Sequence, residues 1–332
     1  MTKIAVIGAG AWGTALAMVA ARSGCTVGLW AREEEVVQSI LSDRRNTLFL
    51  PDYELDEAVT PTNDLAAAVK DSALVLLVTP AQHVRSMTAQ LAELRGAQTD
   101  LPPIVICAKG IDLDTGQLMT EVVDQVLPGH PTAVLSGPTF AAEVAADLPT
   151  ALTVGCMEWG IAEKIADTLG APRFRIYMSH DPIGVEIGGA VKNVIAIACG
   201  VIQGAGLGEN ARAAVVTRGL AETIRLAIAK DGKPPTLSGL SGIGDMMLTC
   251  HSLQSRNMSL GAELGKGRTL KEIMAERTTV AEGVWTAAAV SKLARSLKID
   301  MPICQGMNAV LHEGLSVQDM IDGLIARRFR EE

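Results

Sequence analysis

The chain has 332 residues, of which 48% are hydrophobic and 3% aromatic, and it carries a formal net charge of −8. This length favours two domains rather than one, and the aliphatic composition is typical of α/β and helical cores. The acidic balance argues against a nucleic-acid-binding surface, but it is compatible with a local basic pocket for a phosphorylated metabolite. The apolar runs are far shorter than a membrane span requires, so we expect no membrane-spanning segment.

The cysteines and histidines show no pattern of a metal or redox site. The six cysteines are scattered without a C-x-x-C pair and mostly lie among apolar residues, which indicates reduced, buried thiols. The five histidines have no metal-ligand spacing, and neither H-E-x-x-H nor G-x-S-x-G occurs. We therefore expect a cytoplasmic protein with no metal site and no serine-hydrolase centre.

The first predicted element is a strand that runs into a glycine-rich turn. An apolar run at 4–7 is followed by Gly8, Gly10 and Gly13, in G-x-G-x-x-G spacing, and then by a helical pattern. In a dinucleotide-binding unit the first glycine permits the tight turn, the second lets the pyrophosphate approach the backbone, and the third lets the helix pack on the strand. The unpaired N–H groups at the helix N-terminus favour phosphates. The stretch therefore predicts the binding of a nicotinamide dinucleotide.

The tip of the second predicted strand, 26–30, bears on the choice between NADP and NAD. An acidic side chain at such a tip binds the ribose 2′-hydroxyl of NAD, whereas an arginine accommodates the 2′-phosphate of NADP. Arg32 stands at this tip and favours NADP(H). The acidic residues at 33–35 leave NAD(H) open, because one of them could reach the ribose. Arg32 could also be only a solvent-exposed charge at a helix start.

Strand and helix patterns alternate up to residue 179. Apolar runs predict further strands at 59–60, 73–78, 104–108, 133–135, 150–155 and 174–179. Residues 42–55 look loop-like, and Asn63 is expected to cap a helix that ends at Val69. The alternation predicts a parallel, doubly wound sheet, which binds ligands at the carboxyl ends of its strands. The polar residues that follow such ends are Thr79, Lys109, Ser136 and Thr139.

The character of the sequence changes near Asp181-Pro182, after which helical patterns dominate. The longest are an apolar stretch at 186–203 and a second helix at 211–231. The predicted fold class is therefore α/β followed by all-α. A Rossmann-type doubly wound domain is expected at 1–181, and a helical domain that binds the substrate and carries the catalytic group is expected at 182–332.

Lys192 stands in the middle of the apolar helix and is the first candidate for a catalytic group. A buried lysine is costly unless it is paired, and its pKa shifts readily. Gly188, Gly189 and Ala196 lie three or four residues away on the same helix face, and we expect that they leave room for a ligand at the ammonium. The alternative is a lysine that extends to solvent or joins a structural ion pair.

Two polar turns in the helical half supply further candidates. Asp245 ends a glycine-bracketed turn and is either a partner of Lys192 or the N-cap of the helix that follows. Ser255, Arg256 and Asn257 group a hydroxyl, a guanidinium and an amide. Such a cluster suits a phosphate, which arginine binds with two parallel hydrogen bonds, although it is also the composition of an ordinary polar turn.

Seven stretches occur in an order and at a spacing that are similar to those of one enzyme family. They are GAGAWGTALA, AKGID, SGPTFAAEVA, VEIGGAVKNVIAIACG, GIGDMMLTC, QSRN and VAEGV. With them the chain resembles bacterial NAD(P)-dependent glycerol-3-phosphate dehydrogenase over nearly its whole length. The resemblance implies a dinucleotide-binding domain followed by a helical domain. It also implies interconversion of dihydroxyacetone phosphate and sn-glycerol 3-phosphate, which supplies phospholipid synthesis in the cytoplasm.

The resemblance implies roles for individual residues as well. Lys192 would be the catalytic acid/base. The implied substrate-binding residues are Lys109, Gly137, Thr139, Asp245, Ser255, Arg256 and Asn257. Besides the three glycines, the implied cofactor-binding residues are Ala11, Trp12, Arg32, Lys109, Ala141, Arg256, Val280 and Glu282. The implied ligands are a phosphorylated triose and NADP(H) in preference to NAD(H), and a homodimer is expected from the frequency of such assemblies.

Small departures from the family pattern bear mainly on the cofactor. Ala11 stands where serine is frequent, and Glu33 stands where a second basic or polar residue is frequent, so strict NADP specificity is not implied. Two alternatives stay open. One is a related two-domain dehydrogenase of the hydroxyacid or ketopantoate reductase type, which a substrate without phosphate would reveal. The other is a non-catalytic NADPH sensor, which would turn over no ketone.

Overall fold

The computed structural model describes residues 1–96, 101–277 and 281–327. Its contacts divide the chain into two compact units. Unit 1 consists of Met1–Lys109 and Leu118–Val185, and unit 2 consists of Gly110–Gln117 and Glu186–Glu332. The predicted boundary at 181 lies just before the long helix in which this division falls. The inclusion of Gly110–Gln117 in the helical unit has no counterpart in the sequence patterns.

The strands of unit 1 form one large sheet and a small hairpin. They are β1 (Lys3–Ile7), β2 (Thr26–Trp30), β3 (Arg45–Asn46), β4 (Leu50–Glu54), β5 (Val59–Thr62), β6 (Leu74–Leu77), β7 (Ile104–Ile106), β8 (Thr132–Ser136), β9 (Thr150–Gly155) and β10 (Phe174–Ser179). The large sheet has the order β10-β9-β8-β7-β6-β1-β2-β5, and β3 pairs with β4.

Both faces of this sheet are buried, which explains the uninterrupted apolar runs of its strands. On β1, Ile4 and Val6 belong to one core cluster, whereas Ala5 and Ile7 belong to another. Successive side chains point to opposite faces, so a strand covered on both sides has no polar position. The helices of unit 1 are α1 (Ala11–Arg22), α2 (Glu34–Asp43), α3 (Leu65–Val69), α4 (Val84–Gly96), α5 (Met119–Val126), α6 (Ala141–Ala145) and α7 (Trp159–Leu169).

The predicted doubly wound sheet is confirmed, with one exception to a purely parallel order. Strands β8 and β9 are antiparallel, whereas the other neighbours in the sheet are parallel. The connection between β8 and β9 contains only α6, a helix of five residues. Such a helix spans roughly 7.5 Å, which is too short to carry the chain back to the other end of the sheet. Alternation of elements along a sequence does not reveal this reversal.

Two local predictions in unit 1 are wrong. Residues 42–55, which look loop-like in the sequence, include the antiparallel β3–β4 hairpin. Asn63 does not cap α3, because Asp64 is the N-cap and accepts a hydrogen bond from the N–H of Ala67 at 3.1 Å. The amide of Asn63 instead donates to the carbonyl of Ala31 at 2.7 Å. It therefore ties the residue after β2 to the loop before α3.

All six cysteines are buried and none is in a disulfide bond. Burial raises the pKa of the Cys107 thiol to about 12 and raises that of Cys304 well above its usual range. Reactive cysteines have a lowered pKa and some exposure, so these two thiols are packing residues.

Unit 2 is helical. Its helices are α8 (Pro182–Gly204), which begins in unit 1, α9 (Gly208–Ala229), α10 (Pro234–Leu237), α11 (Asp245–Cys250), α12 (Arg256–Gly265), α13 (Leu270–Ala275), α14 (Glu282–Leu297), α15 (Pro302–His312) and α16 (Val317–Ile325). A π-helical turn, Leu240–Gly244, leads into α11. Among the described helices, α8 is the one that is long and apolar enough to cross a membrane, and its apolar stretch is completely buried inside the protein.

Glycines bring α8 into backbone contact with α12. A Cβ on Gly200 would lie 2.1 Å from the carbonyl oxygen of Met258, and a Cβ on Gly261 would lie 2.0 Å from that of Ile197. The same contact recurs one turn further along α8 at Gly204. Small residues four apart on both helices allow two helix axes to approach this closely. The contact fixes where α12 begins relative to the middle of α8.

Candidate active site

The glycine turn between β1 and α1 needs glycine at its first and third positions. Gly8 has a φ of +115°, which residues with a side chain rarely adopt, and a Cβ there would lie 3.0 Å from the backbone of Val78. A Cβ on Gly13 would lie 1.8 Å from the carbonyl oxygen of Gly8. The turn therefore packs backbone against backbone, and this contact brings the start of α1 to the carboxyl end of β1.

The second glycine of the turn faces open space. A Cβ on Gly10 would meet no atom of the described residues within 4 Å. Gly10 is the N-cap of α1, and no side chain of the described residues caps this end of the helix. The first N–H groups of a helix carry partial positive charge and need partners, so the position favours an anion. Trp12 is the second residue of α1, and its buried Nε1 has no partner among the described residues. These features fit the pyrophosphate of a dinucleotide.

Arg32 follows β2 and extends into solvent, with 75% of its side chain exposed. Its Nε and Nη2 atoms donate to Oε1 of Glu33 at 3.0 and 2.7 Å. The guanidinium and the carboxylate therefore stand side by side at the tip where the ribose of a bound dinucleotide is recognised. Arg32 therefore lies next to Glu33, one of the three acidic residues that the sequence leaves in competition with it for the ribose.

Lys109, Gly137 and Thr139 come together at the carboxyl ends of β7 and β8. Lys109 Nζ donates to the carbonyl of Gly137 at 3.0 Å, and the hydroxyl of Thr139 donates to the same oxygen at 3.2 Å. Thr79 follows β6 and Ser136 ends β8. Both hydroxyl groups are buried and have no partner among the described residues. Buried hydroxyl groups without partners are rare in proteins, so this edge of the sheet is suited to a polar ligand.

The remaining predicted cofactor residues lie mostly at helix starts. Ala11 and Ala141 are the first residues of α1 and α6, and both are partly buried. Glu282 is the first residue of α14 in unit 2. Val280 lies outside the described residues.

Unit 2 holds a buried ion pair between Lys192 and Asp245, which are 5% and 0% exposed. Lys192 Nζ donates to Oδ1 of Asp245 and to the hydroxyl of Thr249, the latter at 2.9 Å. Thr249 in turn donates to the backbone carbonyl of Asp245 at 2.7 Å. The N-cap of α11 is Gly244, so the role of Asp245 in the structure is that of an ion-pair partner rather than a cap.

A glycine beside Lys192 acts differently from its prediction. A Cβ on Gly188 would lie 2.4 Å from the carbonyl oxygen of Ser241. Gly188 therefore lets α8 contact the π-helical turn directly, and this turn leads into Asp245. The expectation that Gly188 leaves room for a ligand is wrong, because the space is filled by backbone. Its packing instead brings the carboxylate to the lysine, and π-helical turns are frequent at functional sites.

A chain of amide hydrogen bonds starts at Asn193, the neighbour of Lys192 in α8. Asn257 Nδ2 donates to Oδ1 of Asn193 at 2.9 Å, and the backbone N–H of Gly283 donates to Oδ1 of Asn257 at 2.9 Å. Gly283 follows Glu282 at the start of α14. The chain therefore connects the helix of the lysine with the helix of a predicted cofactor residue.

The predicted phosphate cluster occupies the N-terminus of α12. Ser255 is the N-cap, and its hydroxyl accepts a hydrogen bond from the N–H of Met258 at 3.2 Å. Arg256 is exposed, and its carbonyl accepts from Nη1 of Arg277 at 3.0 Å. Ser255 therefore caps the helix, whereas Arg256 is the exposed first residue of α12, at the helix end where an anion is stabilised.

Thr249 is a site residue that sequence reasoning missed. Its signal is its position four residues after Asp245, which places both side chains on one helix face. That spacing gains meaning only when the lysine of another helix is known to lie opposite. Within the part of the chain that the structure describes, no three His, Cys, Asp or Glu side chains are grouped so that they could hold a metal ion.

Comparisons with known proteins point to one family. The family model for the N-terminus of NAD-dependent glycerol-3-phosphate dehydrogenase matches residues 3–162, and the model for its C-terminus matches residues 181–322. Glycerol-3-phosphate dehydrogenase (NAD(P)+) of Parvibaculum lavamentivorans is 51% identical over 330 residues, which cover 99% of this chain and 98% of the relative. The enzyme of the same name from Rhodospirillum rubrum is 52% identical over 329 residues, 99% of this chain and 93% of the relative.

A solved structure agrees with these relatives. The crystal structure of glycerol-3-phosphate dehydrogenase from Coxiella burnetii matches with a TM-score of 0.94 and 38% identity, and the match covers 98% of this chain and 99% of that one. The two family models together span most of the chain, and they include both the glycine turn and the buried lysine pair. The chain belongs to the NAD-dependent glycerol-3-phosphate dehydrogenase family.

Proposed function

We propose that the protein is an oxidoreductase that reduces dihydroxyacetone phosphate to sn-glycerol 3-phosphate with NAD(P)H and also catalyses the reverse reaction. The observation that carries the proposal is the buried pair of Lys192 and Asp245. Burial of an ion pair costs desolvation free energy, and buried ionisable groups are concentrated at functional sites. The names of the relatives support the choice of substrate.

Reduction of a ketone needs a hydride for the carbonyl carbon and a proton for its oxygen. When bound, the reduced nicotinamide supplies the hydride. Lys192 donates the proton to the alkoxide oxygen, and its ammonium charge stabilises that oxygen while negative charge develops there. In the reverse direction the lysine accepts the proton from the hydroxyl group.

Asp245 and Thr249 orient the lysine for this transfer. An ammonium group has three N–H donors, and the hydrogen bonds to Asp245 Oδ1 and Thr249 Oγ1 fix the directions of two of them. The buried carboxylate also offsets the cost of removing the ammonium from water. Because both charged groups are buried, solvent does not compete for the proton.

The substrate phosphate is a non-reacting anion that positions the reacting carbon. We propose that Arg256 and Asn257 bind it at the start of α12, since a guanidinium presents forked donors that match phosphate oxygens. In unit 1, Lys109 and Thr139 share the carbonyl of Gly137 and are proposed substrate contacts. The binding free energy of these contacts orients the substrate, so that the carbonyl carbon is correctly positioned for the reaction.

Saturable oxidation of NADPH in the presence of dihydroxyacetone phosphate tests the proposal. We expect turnover with this substrate. With unphosphorylated dihydroxyacetone we expect kcat/KM to be lower by at least about 100-fold. The reason is that hydrogen bonds to a charged group contribute roughly 1.5–3 kcal/mol each. Ketopantoate serves as the comparison substrate for the related reductases. Preferred turnover of ketopantoate, or tight NADPH binding without turnover of any ketone, would contradict the proposal.

We propose that the cofactor preference is NADP(H) over NAD(H) and that it depends on the Arg32–Glu33 pair. Replacement of Arg32 by alanine should lower the ratio of kcat/KM for NADPH to that for NADH by about tenfold, because one charge-assisted contact to the 2′-phosphate is lost. Replacement of Glu33 by glutamine should raise the ratio, because the guanidinium no longer has a competing carboxylate at 2.7 Å. An unchanged ratio in both variants would place the recognition of the 2′-phosphate elsewhere.

Two further proposals rest on general grounds. We propose a homodimer, since closed two-fold dimers are the commonest oligomers. We also propose that the protein acts in the cytoplasm, where its product supplies glycerophospholipid synthesis, in keeping with its buried, unpaired cysteines.

A further inference from the structure

Asn46 of the β3–β4 hairpin is completely buried and uses both ends of its amide. Its Nδ2 atom donates to the carbonyl oxygen of Ala9 at 2.8 Å and to the hydroxyl of Thr14 at 2.8 Å. Its Oδ1 atom accepts a hydrogen bond from the N–H of Phe49 at 3.1 Å. Ala9 lies between Gly8 and Gly10, so a side chain from a hairpin 37 residues away in sequence reaches into the glycine turn.

The segment that carries Asn46 is held in place by packing and by hydrogen bonds. Leu50 and Leu55 are buried in the core on one side of the sheet, and Phe49 packs against the same core. Arg44, just before β3, closes the base of the hairpin with hydrogen bonds to the carbonyls of Leu55 at 3.3 Å and Val59 at 3.2 Å. Both ends of the segment are therefore attached to unit 1, and Asn46 has a fixed position from which to donate.

The direction of the Ala9 carbonyl decides the direction of the next N–H group. A trans peptide is planar, so the C=O of Ala9 and the N–H of Gly10 point in opposite directions. The hydrogen bond from Asn46 holds this carbonyl, and the hydroxyl of Thr14 adds a longer contact at 3.4 Å. The N–H of Gly10, the N-cap residue of α1, is thereby directed away from the hairpin. A Cβ on the same residue would meet no atom of the described residues within 4 Å.

We propose that Asn46 is a positioning residue of the cofactor site, which fixes the Ala9–Gly10 peptide so that its N–H is presented to the dinucleotide pyrophosphate. The proposal rests on the proposed function, because it assumes that NAD(P)H binds at this turn. Asn46 acts through the peptide and is not a catalytic residue. It therefore affects the binding of NADPH and leaves substrate binding and turnover at saturating cofactor unchanged.

A test compares the binding of NADPH to three variants by calorimetric titration, next to thermal unfolding without ligand. Asn46→Leu removes all three hydrogen bonds and should raise the Kd about 10- to 100-fold, by analogy with the loss of residues that orient metal ligands. Thr14→Val leaves the bond between Asn46 and Ala9 and should change the Kd less than about threefold. Asn308→Leu is the matched control in unit 2, where a buried amide donates to Oε1 of Glu313 at 2.6 Å. It should lower thermal stability without changing the Kd.

Steady-state kinetics supply a readout that loss of stability alone does not change. In Asn46→Leu the KM for NADPH should rise by the same factor as the Kd, whereas kcat and the KM for dihydroxyacetone phosphate should stay within about threefold of the wild type. If Asn46→Leu does not fold, Asn46→Asp replaces it. Aspartate has the same shape and still accepts from Phe49, but its ionised form cannot donate to Ala9.

The outcomes separate the inference from the proposed function. A wild-type protein that does not bind NADPH refutes the proposed function and the inference with it. If the wild type binds NADPH and Asn46→Leu binds it equally well, the inference alone is overturned. The same holds if Asn46→Leu and Asn308→Leu lose stability equally and neither changes the Kd. A raised Kd confined to the Asn46 variants supports the inference.

Discussion

Replacement of Lys192 by methionine should lower kcat by at least about 10³-fold while NADPH binding is retained. A positioned general acid contributes roughly 10²–10⁴-fold, and a charge placed at the developing oxyanion contributes roughly 10²–10³-fold. The two effects act through one side chain, so they are lost together and do not simply add. Steady-state turnover at saturating dihydroxyacetone phosphate measures the loss, and a titration with NADPH shows that unit 1 is intact.

The same variant should also lose stability, because it leaves the fully buried carboxylate of Asp245 without its cation. Removal of one partner of a buried pair costs on the order of 3–5 kcal/mol. The double variant Lys192→Met with Asp245→Asn replaces the carboxylate by a neutral amide, and it should regain part of this stability but none of the turnover. Recovery of turnover together with stability would show that Lys192 acts only as a structural partner, and near-normal turnover of Lys192→Met would exclude its catalytic role directly.

Replacement of Gly13 by alanine should disrupt the cofactor site through the fold itself. The added Cβ would lie 1.8 Å from the carbonyl oxygen of Gly8, so backbone has to move. Overpacking of this kind typically costs about 1–3 kcal/mol, and more where backbone is the obstacle. We expect a lower melting temperature without ligand and a loss of measurable NADPH binding, because α1 is displaced from the end of β1.

Gly10→Ala is the matched variant at the other position of the same turn. The backbone of Gly10 is extended, with φ of −68° and ψ of 179°, and the added Cβ would meet no atom of the described residues within 4 Å. The stability without ligand should therefore be unchanged. The methyl group occupies the space that the pyrophosphate needs, which should weaken NADPH binding about 10- to 100-fold. Equal NADPH affinity in Gly10→Ala and the wild type would mean that the dinucleotide does not approach this part of the turn.

The sequence predicts the elements whose signal is local. Strand β1 is predicted by its apolar run, and the turn after it is predicted by its glycine spacing. Both signals lie within the element that they predict. The antiparallel order of β8 and β9 is different, since it depends on the short span of α6 rather than on either strand. The β3–β4 hairpin has mostly exposed residues and little periodicity, so its composition resembles a loop, and only the structure shows that Leu50 is buried in the core.

The candidate site shows the same division. Lys192 stands out in the sequence because it interrupts an apolar helix, and this local contrast suffices to select it. The partnership with Asp245 is open in the sequence, since a carboxylate after a glycine turn suits a helix cap equally well. Packing at Gly188 decides the matter by bringing the π-helical turn against α8. Thr249 and Asn46 form hydrogen bonds to segments that are distant in the sequence. The residue spacing within a single element does not predict such contacts.

The burial of α8 has a consequence for the order in which the protein is made. Its apolar stretch ends at Gly204, whereas α12, which lies against its glycines, begins at Arg256. Roughly 50 residues separate these points, and a ribosome that adds about 5–20 residues per second needs several seconds to cover them. For that time the nascent chain carries a 23-residue apolar helix whose glycine-bearing face has no α12 to cover it. The contact between α8 and α12 therefore becomes available only several seconds after α8 itself has been synthesised.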